Sequence, residues 1–219
     1  MKKLLILFCF LSSFWMFSQE KKTAEKLVNE IQQMKQTANN FKLIWWIPTE
    51  YWRIAIQDNN LPASQEQIDY FESLLNDYTI IVAGDYSLAS ENGNITFKVN
   101  DFKNNFHLSG LQGEKLNVLK DSEINDRVLM IIDNTLKPLF AQMLGKTGDG
   151  VEFFIYNNVK NGKRIIDPTK PGVFKVELSN ETFQWKLPLV SLMKEKKCPV
   201  DQEKMEGNWM YCPIHGEKL

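Results

Sequence analysis

The feature that most restricts the fold is a series of β-rich runs joined by short turn sequences. Asn92-Gly93 and Asn161-Gly162 each stand between two runs of β-branched and aromatic residues, and Asn-Gly is a strong signal for a tight hairpin. Another pair of runs meets at Ser179-Asn180-Glu181, and one more crosses residues 110–113. Because no strand–helix–strand alternation persists along the chain, a mainly antiparallel sheet is expected.

Helical periodicity is confined to three segments. Residues 20–40 place apolar side chains three and four positions apart, which predicts an amphipathic helix. A second helix is expected within residues 61–78, where Ser64 and Gln67 have the spacing of a capping box. The expected fold class is therefore α+β, a mainly antiparallel sheet with about three packed helices.

The third helix is expected within residues 121–145, with Asp121 or Ser122 as its N-cap and Gly145 as its left-handed stop. Pro138 predicts a kink or a division into two helices near residue 134.

Residues 41–58 differ from these helices because they are rich in aromatic and β-branched residues and contain Pro48. Since proline within a sheet is confined to edges, bulges and turns, two short strands or one bent edge strand are expected there.

The N-terminus has the pattern of a secretory signal peptide. Lys2 and Lys3 precede an uncharged run from Leu4 to Phe17. A span of about 20 apolar residues is needed to cross a bilayer, whereas a shorter apolar core behind a positive start is typical of a cleaved leader. We therefore expect a signal peptide at residues 1–19, a single α+β domain at 20–190 and a tail at 191–219. The mature protein would be secreted or periplasmic, and retention as a membrane anchor is the alternative.

The charge balance argues against some partners. Loss of Lys2 and Lys3 with the leader leaves 24 basic residues against 27 acidic ones, a net charge of −3. Binding to a nucleic-acid backbone requires a clear basic excess, so no nucleic-acid partner is expected. Nor is stable membrane insertion expected after cleavage. A protein or glycan partner remains open.

An aromatic cluster in residues 45–52 is a candidate ligand platform. Trp45, Trp46 and Trp52 lie close to Glu50, and aromatic faces stack on sugars and cations. Aromatic residues also dominate protein cores, so core packing is the competing interpretation. These four residues are the candidate ligand-binding set.

The C-terminal tail contains the sharpest chemical pattern. Cys198-Pro199-Val200-Asp201 and Cys212-Pro213-Ile214-His215 are two Cys-Pro units about a dozen residues apart, and Gly216 follows the second. This pattern resembles the zinc-ribbon family, in which two Cys-Pro-x-Cys-Gly units hold one metal ion. The resemblance covers Cys198 to Leu219.

The resemblance implies a small C-terminal β-hairpin with structural zinc bound by Cys198, Asp201, Cys212 and His215. The first unit departs from the family pattern, because Asp201 replaces a cysteine and Gln202 replaces a glycine. A disulfide between Cys198 and Cys212 is the alternative, since exported proteins meet an oxidising compartment.

No recognisable catalytic set accompanies these patterns. The chain lacks a Gly-x-Ser-x-Gly elbow, and no catalytic residue is assigned. The expected function is that of an exported, non-enzymatic binding or interaction protein with a stapled tail. The alternative is a secreted, carboxylate-dependent hydrolase that acts on a glycan or an envelope polymer.

Overall fold

The computed structural model describes residues 23–58, 62–91 and 94–219. The expected signal peptide and the Asn92-Gly93 turn lie outside these residues. The α-helices are α1 (Thr23–Ile31), α2 (Glu50–Asp58), α3 (Gln65–Leu75), α4 (Asp126–Ile131) and α5 (Lys137–Leu144). A π-helical turn over Ile132–Leu136 joins α4 to α5, so these two form one continuous helical run.

The strands of the first sheet are β1 (Gln32–Gln36), β2 (Asn40–Ile47), β3 (Tyr78–Glu91), β4 (Asn94–Val99) and β7 (Glu152–Asn157). Those of the second sheet are β5 (Phe106–Ser109), β6 (Lys115–Leu116), β10 (Gly172–Leu178) and β11 (Glu181–Leu187). Two small hairpins comprise β8 (Val159–Lys160) with β9 (Lys163–Arg164), and β12 (Lys196–Lys197) with β13 (Lys204–Met205).

All the strand pairings described are antiparallel. The first sheet has the order β1-β2-β3-β4. Strand β7 pairs with the first half of β3 and β4 with its second half, both on the side of β3 opposite β2. The second sheet has the order β11-β10-β5-β6. These pairings and the helices confirm the expected α+β class.

The first sheet lies between the second sheet and a layer of helices. Consecutive residues of a strand point to opposite faces of the sheet. Trp45 and Trp46 therefore contact the helix layer and the second sheet, respectively. The Trp46 ring packs edge-on against Phe174 of β10 at 4.7 Å, whereas the Trp45 ring packs against Phe140 of α5 at 5.0 Å. Both faces of β2 are therefore buried in the core.

This burial corrects the expectation for residues 41–58. Strand β2 is an interior strand, paired with β1 on one side and β3 on the other. Pro48 follows the strand and breaks no pairing, and the chain then forms helix α2. The unbroken apolar run in β2 marks burial on both faces rather than a bent edge.

The first helix is also shorter than its periodicity predicts. Helix α1 ends at Ile31, and Gln32–Gln36 pair with β2 as strand β1. Met34, which the helical stripe would bury, is 58% exposed. Sheet pairing overrides a modest local helical preference here, as tertiary context commonly does.

Three expectations from local sequence are confirmed. Ser64 caps α3, with its side chain accepting from the backbone of Gln67 and the Gln67 side chain accepting from that of Ser64. The hairpins β3–β4, β5–β6, β8–β9 and β10–β11 form at the expected positions. The long helical run ends with α5 at Leu144, and Gly145 is its C-cap with the expected positive φ of 55°; its ψ of −126° is not left-handed helical, and a 3₁₀ segment, Gly145–Gly150, follows.

The start of that helical run differs from the expectation. Residues Asp121–Glu123 form a separate 3₁₀ turn, and the N-cap of α4 is Asn125, whose side chain accepts from Arg127 N. The kink expected near Pro138 takes the form of the π-helical turn.

A buried polar network joins the two sheets. Lys42 of β2 donates to the side chains of Asn180 and Glu181, at 3.0 and 3.3 Å. The neighbouring Asp85 of β3 accepts from Ser179 Oγ at 2.9 Å. Lys42 and Asp85 are 4% and 3% exposed, so these contacts satisfy groups that would otherwise be costly to bury.

Candidate metal centre

The tail contains two turns that position the candidate ligands. The first begins where β12 ends and carries Cys198 and Asp201; the second carries Cys212 and His215. Cys198, Met205 and Cys212 form a small buried cluster of their own, against which Leu219 packs. The side chains of the two turns therefore meet inside the tail.

The first turn is fixed by its own backbone hydrogen bonds. Cys198 N donates to the carbonyl oxygen of Glu203 at 2.9 Å, and Gln202 N donates to that of Cys198 at 2.9 Å. These two bonds return the chain sharply after the cysteine, so that Asp201 faces back toward the sulfur.

The second turn repeats the same bonds fourteen positions later. Cys212 N donates to the carbonyl oxygen of Glu217 at 2.7 Å, and Gly216 N donates to that of Cys212 at 2.8 Å. A bridge between Tyr211 and Lys218 closes the ends of this turn. The two Cys-Pro units thus share one backbone geometry.

The equivalence includes the residue where the ribbon family has glycine. Gly216 has a φ of 71°, and Gln202 has a φ of 65° in the first turn. A residue with a Cβ rarely adopts this left-handed conformation. Replacement of the glycine by Gln202 has therefore not changed the shape of the first turn.

The three strongest candidate ligands converge on one point. Nδ1 of His215 lies 3.3 Å from Sγ of Cys198 and 3.6 Å from Sγ of Cys212. All three ligand atoms lie within 4.8 Å of one another. These residues are therefore compatible with a metal site, as the sequence pattern predicts.

Asp201 lies beside this cluster. Its Oδ2 is 3.7 Å from Nδ1 of His215, and its carboxylate also interacts with the Cys198 side chain. Oδ1 accepts a hydrogen bond from Glu203 N at 3.0 Å, which fixes the carboxylate on the solvent side of the two sulfurs. The fourth candidate ligand therefore lies next to the group formed by the other three, 3.7 Å from the imidazole nitrogen.

The separations agree with those around a tetrahedral ion. With zinc–sulfur and zinc–nitrogen bonds of about 2.3 and 2.0 Å, tetrahedral geometry separates the two ligand atoms by about 3.5 Å. The observed sulfur–nitrogen distances of 3.3 and 3.6 Å fall on either side of this value. The geometry also identifies Nδ1, rather than Nε2, as the ligand atom of His215.

The protonation of the two thiols differs. Burial raises the pKa of Cys198 above its ordinary value. Burial also acts to raise the pKa of Cys212, but hydrogen bonds from the backbone N–H groups of His215 and Ile214 outweigh it, and the pKa is lowered. His215 N lies 3.4 Å from this sulfur. The thiolate is the form that binds metal.

The disulfide alternative is not formed in the structure. Cys198 and Cys212 are both free, and they are 0% and 1% exposed. Among the described residues they are the only free cysteines, so the choice between metal and disulfide concerns this single pair.

The structure places the aromatic candidate residues in the core. Trp45 and Trp46 are 5% and 1% exposed, so neither ring is presented to solvent. Trp52 is half-buried and packs edge-on against Phe71 at 5.7 Å. Glu50 borders a surface cleft, and a ligand-binding role for the set stays a prediction.

That cleft lies between α2 and α3 and has a volume of about 410 Å³. Its lining includes the carboxylates of Glu50, Asp69 and Glu72. Arg53 forms ion pairs with Asp69 and Glu72, and Arg164 forms one with Glu50. The hydrogen bond from Arg53 is the main cause that lowers the pKa of Asp69. The Asp69 carboxylate is therefore held as an ion.

Sequence reasoning missed these arginine partners. The three-residue spacing of Asp69 and Glu72 places both on one face of α3, which was a signal for a shared cation. Nothing local indicated that Arg53, on the preceding helix, would supply it.

No family model, curated protein or solved structure matches this chain. In the described part of the chain, no helix is both long enough and apolar enough to cross a membrane. The geometry of the tail is therefore the main basis for a functional proposal.

Proposed function

We propose that this chain is an exported, non-enzymatic binding protein whose tail is closed by a structural zinc ion. Cys198, Cys212 and His215 would bind the ion, with the Asp201 carboxylate as fourth ligand. The observation that carries the proposal is the convergence of both sulfurs on Nδ1 of His215, at 3.3 and 3.6 Å.

The donor set favours zinc among the common metals. Thiolate and imidazole are soft or borderline ligands, whereas calcium and magnesium prefer oxygen. Zinc also takes the tetrahedral arrangement with which the distances agree. A structural role is supported by the small size of the tail. A unit with so few buried residues needs a metal ion or a disulfide to stabilise its fold.

A binding role is supported by the apolar surface of the tail. Val200, Met210, Tyr211 and Ile214 are 58–66% exposed. Val200 and Ile214 occupy equivalent positions in the two turns, on either side of the candidate metal site. Exposed apolar residues concentrated in one small unit are typical of interaction sites, and a protein or glycan is the expected class of partner.

The zinc proposal is tested by metal analysis together with thiol counting. Protein purified from the periplasm without chelator should contain one zinc per chain and two thiols that become titratable after denaturation. A His215→Gln variant should lose the zinc, and His107→Gln, the matched control on β5, should retain it. Protein that stays zinc-free after reduction and incubation with zinc would overturn the proposal.

Export is tested on the same preparation. Sequencing of the mature N-terminus should begin close to residue 20, and cell fractionation should recover the protein outside the cytoplasm. A chain that keeps its first 19 residues and remains in the cytoplasm would contradict export without affecting the metal proposal.

The alternative function, a carboxylate-dependent hydrolase, has one observation in its favour. Glu50, Asp69 and Glu72 line a single cleft. General acid catalysis by a carboxyl group requires a raised pKa, whereas the pKa of Asp69 is lowered. Turnover of a glycan by the wild type that is lost in Glu50→Gln and Glu72→Gln would establish this alternative over the binding role.

A further inference from the structure

We infer that the Cys198–Cys212 pair makes the tail a redox switch with two states, a metal-bound dithiolate and a metal-free disulfide. This inference rests on the proposed metal site and adds its regulation. An external disulfide, either a small molecule or a protein, would convert the first state into the second and release the metal.

The first support is the position of the two sulfurs. Both contact the same nitrogen of His215 and lie within one cluster of ligand atoms less than 4.8 Å across. A disulfide requires a sulfur–sulfur distance of about 2.0 Å and cysteines with closely spaced backbones. The two sulfurs already lie within 4.8 Å of each other, and the two turns must bring them closer for the bond to form.

The second support is that backbone hydrogen bonds fix the position of each cysteine in its turn. Each cysteine is the start of a turn closed by two backbone hydrogen bonds of 2.7–2.9 Å. Leu219 N also donates to the carbonyl oxygen of Met210 at 3.0 Å, which ties the chain end to the second turn. These bonds hold the two cysteines at equivalent places in neighbouring turns, where they can react with each other.

The third support is an asymmetry among the ligands. The sulfurs are buried, whereas the side chains of His215 and Asp201 are 31% and 34% exposed. The Asp201 carboxylate accepts a hydrogen bond from Glu203 N at 3.0 Å through Oδ1. An oxidant would approach the sulfurs from the side of His215 and Asp201, which is open to solvent. The Asp201 carboxylate is the ligand that would leave the ion most readily.

The chemistry balances in two exchange steps. One cysteine thiolate attacks a sulfur of the external disulfide, which forms a mixed disulfide and expels one external thiolate. The other cysteine thiolate then attacks the protein sulfur of that mixed disulfide and expels the second external thiolate. Two electrons pass from the cysteines to the external disulfide. With both thiolates consumed, the metal dissociates from His215 and Asp201.

The test uses the full mature chain loaded with zinc. It is equilibrated in a series of oxidised-to-reduced glutathione ratios; released zinc is measured with a chromogenic chelator and free thiols by alkylation and mass spectrometry. The two curves should coincide, with one zinc released per two thiols lost, and dithiothreitol with added zinc should restore the starting state.

Variants separate the switch from the metal site. His215→Gln should bind zinc at least ten-fold more weakly and still form the disulfide, whereas His107→Gln should change neither property. Asp201→Cys should shift zinc release to more oxidising ratios by at least ten-fold, because a third thiolate holds the ion.

Three results would overturn the switch. The first is zinc that stays bound after both thiols are lost. The second is thiols that persist at the most oxidising ratio. The third is thiol loss through disulfides between chains, which non-reducing gels would show. Thiols that persist leave the proposed metal site intact, because the reduced chain still binds zinc. Zinc that stays bound after both thiols are lost removes the site as well, because the ion is then held without the cysteines. A reduced chain that never binds zinc removes the site and the switch together.

Discussion

The body and the tail of this protein are stabilised by different means. The body has two clusters of buried apolar residues, which fill the space between its two sheets and beneath its helices. The buried apolar cluster of the tail consists of Cys198, Met205 and Cys212, with Leu219 partly buried against them. Hydrophobic burial scales with the apolar area removed from water, so it suffices for the body and leaves the tail dependent on its cysteines.

The largest effect is expected from Trp46→Ala in the body. Trp46 is 1% exposed and packs against Phe174, and its removal leaves a cavity between the two sheets. The free energy of unfolding should fall by about 3–5 kcal/mol, as measured by urea denaturation at unchanged m-value. The control is Trp209→Ala in the tail, where 36% exposure predicts a change in body stability below about 0.5 kcal/mol. Similar losses for both variants would break the distinction between body and tail.

The next effect is expected from Cys212→Ala, which removes a sulfur ligand and the disulfide alternative together. The tail should lose its zinc, and its amides should exchange hydrogen rapidly. The free energy of unfolding of the body should stay within about 0.5 kcal/mol of wild type, because the buried clusters of the body do not include this residue. A single cooperative loss of all structure would show that body and tail fold as one unit.

A smaller effect is expected from changes at Asp201. Asp201→Ala should weaken zinc binding by at least about ten-fold, and Asp201→Cys should strengthen it by a similar factor, because a thiolate binds zinc better than a carboxylate does. Competition with a chelator of known affinity measures both. Unchanged affinity in Asp201→Ala would show that the ion is held by the other three residues alone.

The smallest effect is expected from a matched pair in the two turns. Gln202→Gly should stabilise the first turn by about 0.4–1 kcal/mol, since φ is 65° there. Zinc affinity should therefore rise about two- to five-fold. Gly216→Ala should have the opposite effect, costing about 1 kcal/mol at a φ of 71°. No steric clash complicates that change, because a Cβ on Gly216 meets nothing within 4 Å. A change of zinc affinity in the same direction in both variants would contradict the equivalence of the turns.

Local sequence predicted the elements whose stabilising contacts are only a few residues apart. The capping box of Ser64 and Gln67 and the hairpin at residues 179–181 formed as expected. The Cys-Pro turns are also local, because each closes its hydrogen bonds within five positions. This is why the candidate ligands could be named from spacing.

Prediction of secondary structure from local sequence failed where contacts between residues distant in the chain determine it. Met34 continues a helical stripe in the sequence, yet its segment pairs with β2 as strand β1. Pro48 indicated an edge strand, yet the strand before it is covered on both faces. At Met34 the free energy gained from sheet pairing exceeds a local helical preference of about 0.5 kcal/mol per residue. Pro48 lies just after the strand, so it breaks no pairing, and the burial of the strand depends on layers that are distant in the chain.

The sequence by itself determined the α+β class, most turns and the residues available to a metal. Only the tertiary structure decided that Trp45 and Trp46 belong to the core, that arginines neutralise the carboxylates of the cleft, and that Nδ1 of His215 meets both sulfurs. Turns and caps follow from bonds between near neighbours, which residue types specify directly. Burial, ion pairing and ligand convergence join residues far apart in the chain, and their geometry exists only once the layers have packed.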